Sequence, residues 1–128
     1  MFFTPTAANL ANATAWLDAW LDENGCAPKA RFALQAVLEE VFMNIVNHSG
    51  ATRLELTLTR EGDDVTLLFA DDGAPFNPHT QEEPDVTLPA EERSIGGLGI
   101  LMIRRMTDHQ QYARKQGCNR LTLRRRLV

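Results

Sequence analysis

With 128 residues, the chain is long enough for one hydrophobic core and too short for a second independent one. Thirteen basic residues against seventeen acidic ones give a formal net charge of −4, which excludes an overall attraction for nucleic acid or anionic membrane and leaves only local basic patches. No apolar run reaches the roughly 18 to 20 residues needed to cross a bilayer; with no signal-like amino terminus, Cys26 and Cys118 read as reduced thiols of a cytosolic protein.

Met1 to Pro5 predicts at most a stunted strand, because Pro5 confines it to an end or an edge. From Thr6 to Glu23, Leu10, Ala13, Leu17, Trp20 and Leu21 fall on one helical stripe, with Trp16 one turn from Trp20. Asn24-Gly25 stops this helix. Pro28 opens a second one, which runs to about His48 before Ser49-Gly50 ends it. Leu54, Leu56 and Leu58 alternate with polar residues, as do Val65, Leu67 and Phe69 across a turn at Glu61-Gly62-Asp63-Asp64, so a hairpin follows. Residues 77–93 carry Pro78, Pro84 and Pro89 with Glu82, Glu83, Asp85, Glu91 and Glu92, and read as a long loop of the kind that serves as a lid or binds something. A third helix is predicted from Leu98 to about Asp108, and a final strand pair over 111–114 and 119–128. The whole predicts a single domain over 1–128: an α/β (α+β) two-layer sandwich with a mixed sheet and three helices on one face.

The second helix carries more than a core stripe. Glu40, Asn44 and His48 recur every fourth residue beside Leu34, Val37, Leu38, Val41 and Ile45, which sets a carboxylate, an amide and an imidazole on one strip at the border of the buried face. Amphipathic helices produce such borders by chance, so the strip alone is weak evidence. Two further segments strengthen it. In Asp71-Asp-Gly-Ala-Pro-Phe-Asn-Pro78, Asp71 continues the parity of Val65, Leu67 and Phe69 and so points into the apolar layer where the strand ends, whereas Asp72 suits a turn. In Ile95-Gly-Gly-Leu-Gly-Ile100, Gly96, Gly97 and Gly99 stand where a loop meets a helix start, a place for backbone amides to approach phosphate. That run is neither a Walker sequence nor a Rossmann fingerprint. Arg93, entering it from the loop, is a further candidate for a phosphate contact.

In order and spacing, Glu40 through Asn44 to His48, Asp71 to Phe76 and Gly96 to Ile100 resemble the N box and the two glycine boxes of the Bergerat-fold (GHKL) ATPase and kinase superfamily. The resemblance is closest to its anti-sigma-factor serine/threonine kinase branch and covers about residues 6 to 127. It implies a histidine-kinase-like ATP-binding domain with an ATP lid over 77–95, and the cofactors ATP and Mg²⁺. Asn44 then takes the position of the Mg²⁺ ligand and Glu40 that of the catalytic acidic residue beside the attacking hydroxyl. Asp71 takes that of the adenine-reading carboxylate, with Gly73 leaving room for the base. His48 would support the pocket, and Gly97 and Gly99 would let phosphate approach, with Gly96 as a hinge. The partners implied are an antagonist protein as phosphorylation substrate and a sigma factor, with no nucleic acid and no membrane.

The short amino-terminal strand departs from the branch, where that edge contributes to a homodimer. The absence of a phosphoacceptor histidine domain argues against a two-component histidine kinase. Three functions stay open on this pattern: a serine/threonine protein kinase, a nucleotide-responsive protein-binding module without phosphotransfer, and an interaction domain with an unused pocket.

Overall fold

In the computed structural model, residues 1–75 and 97–128 are described. Strand β1 (Phe2–Phe3) leads through a short 3₁₀ turn, Ala7–Asn9, into helix α1 (Leu10–Asn24). Helix α2 (Pro28–Asn44) continues without a break into a π-helical turn over Ile45–Ser49. The hairpin β2 (Leu54–Glu61) and β3 (Asp64–Asp71) follows, and helix α3 (Gly97–Met106) precedes the hairpin β4 (His109–Lys115) and β5 (Cys118–Arg126).

The five strands form one sheet in the order β1-β2-β3-β5-β4. Every pairing is antiparallel, which corrects the expectation of a mixed sheet. The reason is topological. The crossover after β3 does make β4 run parallel to it, but the short β4–β5 turn folds β5 back between the two, so no parallel neighbours meet. Gln116 and Gly117 form that turn, both with positive φ, 52° and 76°, as a two-residue hairpin matched to strand twist requires.

Each long strand buries only one parity. Leu54 and Leu56, Val65, Leu67 and Phe69, and Leu121 and Leu123 are all buried, while the intervening Glu55, Thr57, Thr66, Leu68, Ala70 and Thr122 are only half-buried. All three helices contribute to the one core these residues form: Ala13, Leu17 and Leu21 from α1, Leu34, Val37, Leu38, Val41 and Phe42 from α2, and Ile103 from α3. Among the described residues the helix layer therefore covers one face of the sheet and leaves the other open. The core stripes expected on the first two helices are the buried ones, with Leu10, Trp16 and Trp20 packed at the margin.

Polar links fix the helix layer internally. Arg31 on α2 bonds Asp18 at 3.1 Å and Asp22 at 2.5 Å on α1, and Gln35 reaches the same Asp18 carboxylate at 2.6 Å. Among the described residues no helix is long and apolar enough to cross a membrane. Phe42 is fully buried and meets Phe3 edge to face with ring centroids 6.4 Å apart, so it joins helix layer and edge strand. Phe42→Ala should lower the unfolding free energy by about 3–5 kcal/mol in urea denaturation. Arg31→Ala, whose partners are a half-buried Asp18 and a solvated Asp22, should move the same midpoint less.

Candidate functional site

The inward parity of β3 passes from Val65, Leu67 and Phe69 to Asp71, which is 5% exposed. Opposite it in the β3–β5 ladder stands Asn119, 4% exposed, at the head of the parity that Leu121 and Leu123 continue. Asn119 Nδ2 donates to Asp71 Oδ1 at 3.2 Å and to the Ala74 carbonyl at 2.7 Å. Its Oδ1 accepts from Arg114 Nη1 at 3.1 Å and from the Tyr112 hydroxyl. Donors at one end and acceptors at the other leave the amide one orientation.

The Gly73 N–H donates to the same Asp71 Oδ1 at 2.9 Å, and Arg114 Nη1 donates to the Gly73 carbonyl at 2.7 Å. Among the described residues no hydrogen bond is made to Asp71 Oδ2. One carboxylate oxygen is thus anchored and the other is left as an acceptor. Burial pushes the Asp71 carboxyl above the ordinary aspartate range; the Gly73 and Asn119 donors pull it back, the Asp72 charge adds to the rise, and Arg114 opposes it.

Asp72 lives in the opposite environment. It is exposed, and its carboxylate accepts from the Thr52 hydroxyl at 2.5 Å and from the Thr52 and Arg53 amides at 2.7 and 3.0 Å, which hold it below the usual range. Asp72 therefore clasps the end of β2, the turn role its parity predicts.

Gly73 marks the junction of sheet and helix layers. A Cβ there would lie 2.6 Å from both the Cβ and the carbonyl oxygen of Ser49, so only glycine fits without displacing backbone. Ser49 is itself held, its hydroxyl donating to the Ile45 carbonyl at 2.7 Å and accepting from the Ala51 amide at 3.0 Å, while its carbonyl accepts from the Ala74 amide at 2.8 Å. Upstream on the same helix, Glu40 and Asn44 are both half-buried, one turn apart. His48 is exposed on the π-helical turn that continues the same helix, one step of four residues beyond Asn44.

Gly97 and Gly99 fall in the first turn of α3, where amides lack partners within the helix. Arg93, Gly96 and the whole 77–95 lid segment lie within 76–96, outside the described residues. The site residues that sequence reasoning missed are Asn119, Arg114, Tyr112 and Ser49. Asn119 carried the same signal as Asp71, a polar residue continuing an apolar parity, but it sits at the start of its strand, where parity is hardest to anchor. Arg114 and Ser49 act through backbone partners distant in sequence, which no local pattern reveals.

A two-layer sandwich with a polar strip on its second helix and a buried carboxylate at a strand end that the helix terminus touches has the Bergerat-type architecture. The model of the histidine kinase-like ATPase domain matches residues 3–125, and the chain belongs to that family. It is 29% identical over 122 residues to the serine/threonine-protein kinase BtrW of Bordetella bronchiseptica, covering 92% of this chain and 86% of that one. The crystal structure of the RsbU and RsbW domains of Rv1364c from Mycobacterium tuberculosis superposes with a TM-score of 0.66 at 19% identity. That match takes in 99% of this chain and 32% of the other, so this chain spans about a third of its length.

Gly73→Ala should destabilise the protein by about 1–3 kcal/mol in chemical denaturation, since backbone must move to admit the methyl group. The two adjacent carboxylates should give opposite pH signatures. A raised carboxyl stabilises fully below the unfolded value of about 4 and loses that contribution as pH rises through its folded value, so Asp71→Asn should gain on wild type over that rise. A lowered one stabilises above about 4 and loses as pH falls through its folded value, so Asp72→Asn should lose on wild type at neutral pH and converge with it in acid. Thermal midpoints of the nucleotide-free protein between about pH 3 and 8 measure both; displacement of both variants in the same direction would refute the assignment.

Proposed function

We propose that the protein is an ATP-binding regulatory serine/threonine kinase of the anti-sigma-factor type, acting in the cytosol on an antagonist protein and binding a sigma factor. The observation that carries the nucleotide reading is Asp71 itself: a buried carboxylate with Oδ1 fixed by Asn119 and Gly73 and Oδ2 left to accept a hydrogen bond. An exocyclic amine of adenine matches that acceptor; the carbonyl that guanine carries at the same place does not. Similarity to a serine/threonine-protein kinase supports a kinase-type regulatory function and the choice of protein hydroxyls as acceptors.

The helix supplies the chemistry. Among the described residues no three Asp, Glu, His or Cys side chains converge, so Mg²⁺ would take the Asn44 amide oxygen from the protein and its remaining ligands from phosphate and water, a donor set that suits this ion. Bound there, it supplies charge neutralisation among the phosphates. Glu40, one turn before Asn44, orients the attacking serine or threonine and accepts its proton as the hydroxyl oxygen bonds to the γ-phosphorus and ADP leaves. Gly97 and Gly99 offer amides to phosphate at the start of α3, and the family resemblance assigns Gly96 and Arg93 to the same phosphates and His48 to support of the pocket.

Calorimetric titration should show saturable ATP binding that tightens with Mg²⁺ and is weaker for GTP. Asp71→Asn should weaken ATP about 10- to 100-fold through loss of a charge-assisted bond, and Asn44→Ala should remove chiefly the metal-dependent part. With a co-purified partner and labelled ATP, Glu40→Gln should cut transfer by about 10² to 10⁴ with ATP affinity kept. Stable ATP-dependent association with no transfer by wild type would make the protein a nucleotide-responsive binding module instead. Absence of saturable ATP binding by folded protein would remove both readings.

A further inference from the structure

The open face of the sheet has a concavity directly behind the nucleotide carboxylate. Side chains alternate along a strand, so Ala70 faces away from the helices where Asp71 faces toward them, and Cys118 and Arg120 face away on either side of Asn119. Together with Lys115 at the end of β4 and with Arg53 and Glu55 at the start of β2, these residues line a cavity of about 780 Å³. Its charge is opposite in sign to that of the chain. Arg53, Lys115 and Arg120 border it against Glu55 and Asp72, in a protein of net charge −4. The Asp72 carboxylate is already engaged by Thr52 and the Arg53 amide. The side chains of Lys115 and Arg120 make no ion pair or hydrogen bond among the described residues, and the Arg53 guanidinium lies over the exposed Phe2 ring, 4.1 Å from its centroid. Arg31 and Arg124, by contrast, are each paired with two carboxylates. The next row on the same face, Thr57, Leu68, Thr122 and Gln111, crosses four strands without a charge, and no element among the described residues covers it.

We propose that this cationic concavity and the uncharged row beside it form the docking surface for an acidic segment of a protein partner. Charge complementarity selects the occupant. The three cations stand on β2, β5 and β4, whose backbones span three strand spacings, about 14 Å, so a single phosphate or carboxylate leaves part of the set unmatched where a segment with several carboxylates matches all of it. An uncharged patch bordered by charged groups is also the usual anatomy of a protein interface. The surface lies on the side of the sheet away from Glu40 and Asn44, so nucleotide and partner can be bound at once. A partner held there is one the chain retains, not the one whose hydroxyl meets Glu40; that distinction rests on the kinase reading, and the docking itself does not.

Cys118 supplies a reporter inside the cavity. In a Cys26→Ser background without nucleotide, poly-L-glutamate at low salt should slow alkylation of Cys118 by iodoacetamide at least about fivefold, and about 0.5 M NaCl should abolish the protection. Arg120→Gln and Lys115→Glu should each raise the half-protecting concentration about three- to tenfold, with the urea midpoint confirming that both variants fold. Lys29→Glu, an exposed cation of α2 in the helix layer, should leave it unchanged. Calorimetric ATP titration of Arg120→Gln should match that of wild type. No protection by poly-L-glutamate, or equal weakening by Lys29→Glu and Arg120→Gln, overturns the docking surface. Equal protection by inorganic phosphate makes the cavity a small-anion site and overturns docking of a protein segment. Cys118 already protected without a probe, in a protein that sediments as a dimer, assigns the surface to a second copy of the chain and overturns the acidic partner. Failure of wild type to bind ATP removes the nucleotide reading and leaves the docking result to stand by itself.

Discussion

The contact on which the site depends is the one between Gly73 and Ser49. It is the point where the end of β3 and the end of the long second helix meet with only the small Ser49 side chain between them. The Ala74 amide bonds the Ser49 carbonyl there, so the loop that holds Asp71 and the helix that holds Glu40 and Asn44 share one anchor. Burial of the apolar stripes holds the two layers face to face, but burial is non-directional. Register between the polar elements of the two layers comes from this close approach and its hydrogen bonds.

Around that anchor the second hairpin acts as a brace. Tyr112 and Arg114 on β4 fix the Asn119 amide on β5, Asn119 fixes Asp71 on β3, and Arg114 fixes the Gly73 carbonyl. A carboxylate taken out of water would otherwise turn toward any available donor. Saturating one of its oxygens from two sides confines the other to one direction, the kind of preorganisation that recognition of a planar base needs.

Much of this was legible in the chain. The two stripes of α1 and α2 and the alternation of β2 and β3 read correctly because one-sided burial imprints period 3.6 or 2 on the sequence, and the parity that singled out Asp71 from Asp72 is the same effect carried one residue past the core. One reading failed for a physical reason that acts beyond the local pattern. The mixed sheet came from the alternation of helices and strands, whereas neighbour relations depend on where β5 inserts. The π-helical turn itself could not be read either, since the residues of Ile45–Ser49 give no composition signal for it. Asn119 and Arg114 were missed because their partners, Asp71 and Gly73, lie more than forty positions away in the chain.

The π-helical turn over Ile45–Ser49 has a bearing on how this region tolerates change in length. Such a turn accommodates one residue more than the α-helical path it replaces. Removing a single residue from Val46 or Asn47 would let α2 run on as a regular helix and would draw Ser49 back from the glycine it abuts. Adding one would push Ser49 into Gly73. Substitution on the exposed side of the turn is thus cheap, while insertion and deletion are not, and variation among natural or engineered relatives of this chain should respect the residue count between Asn44 and Gly50 more strictly than the residues that fill it.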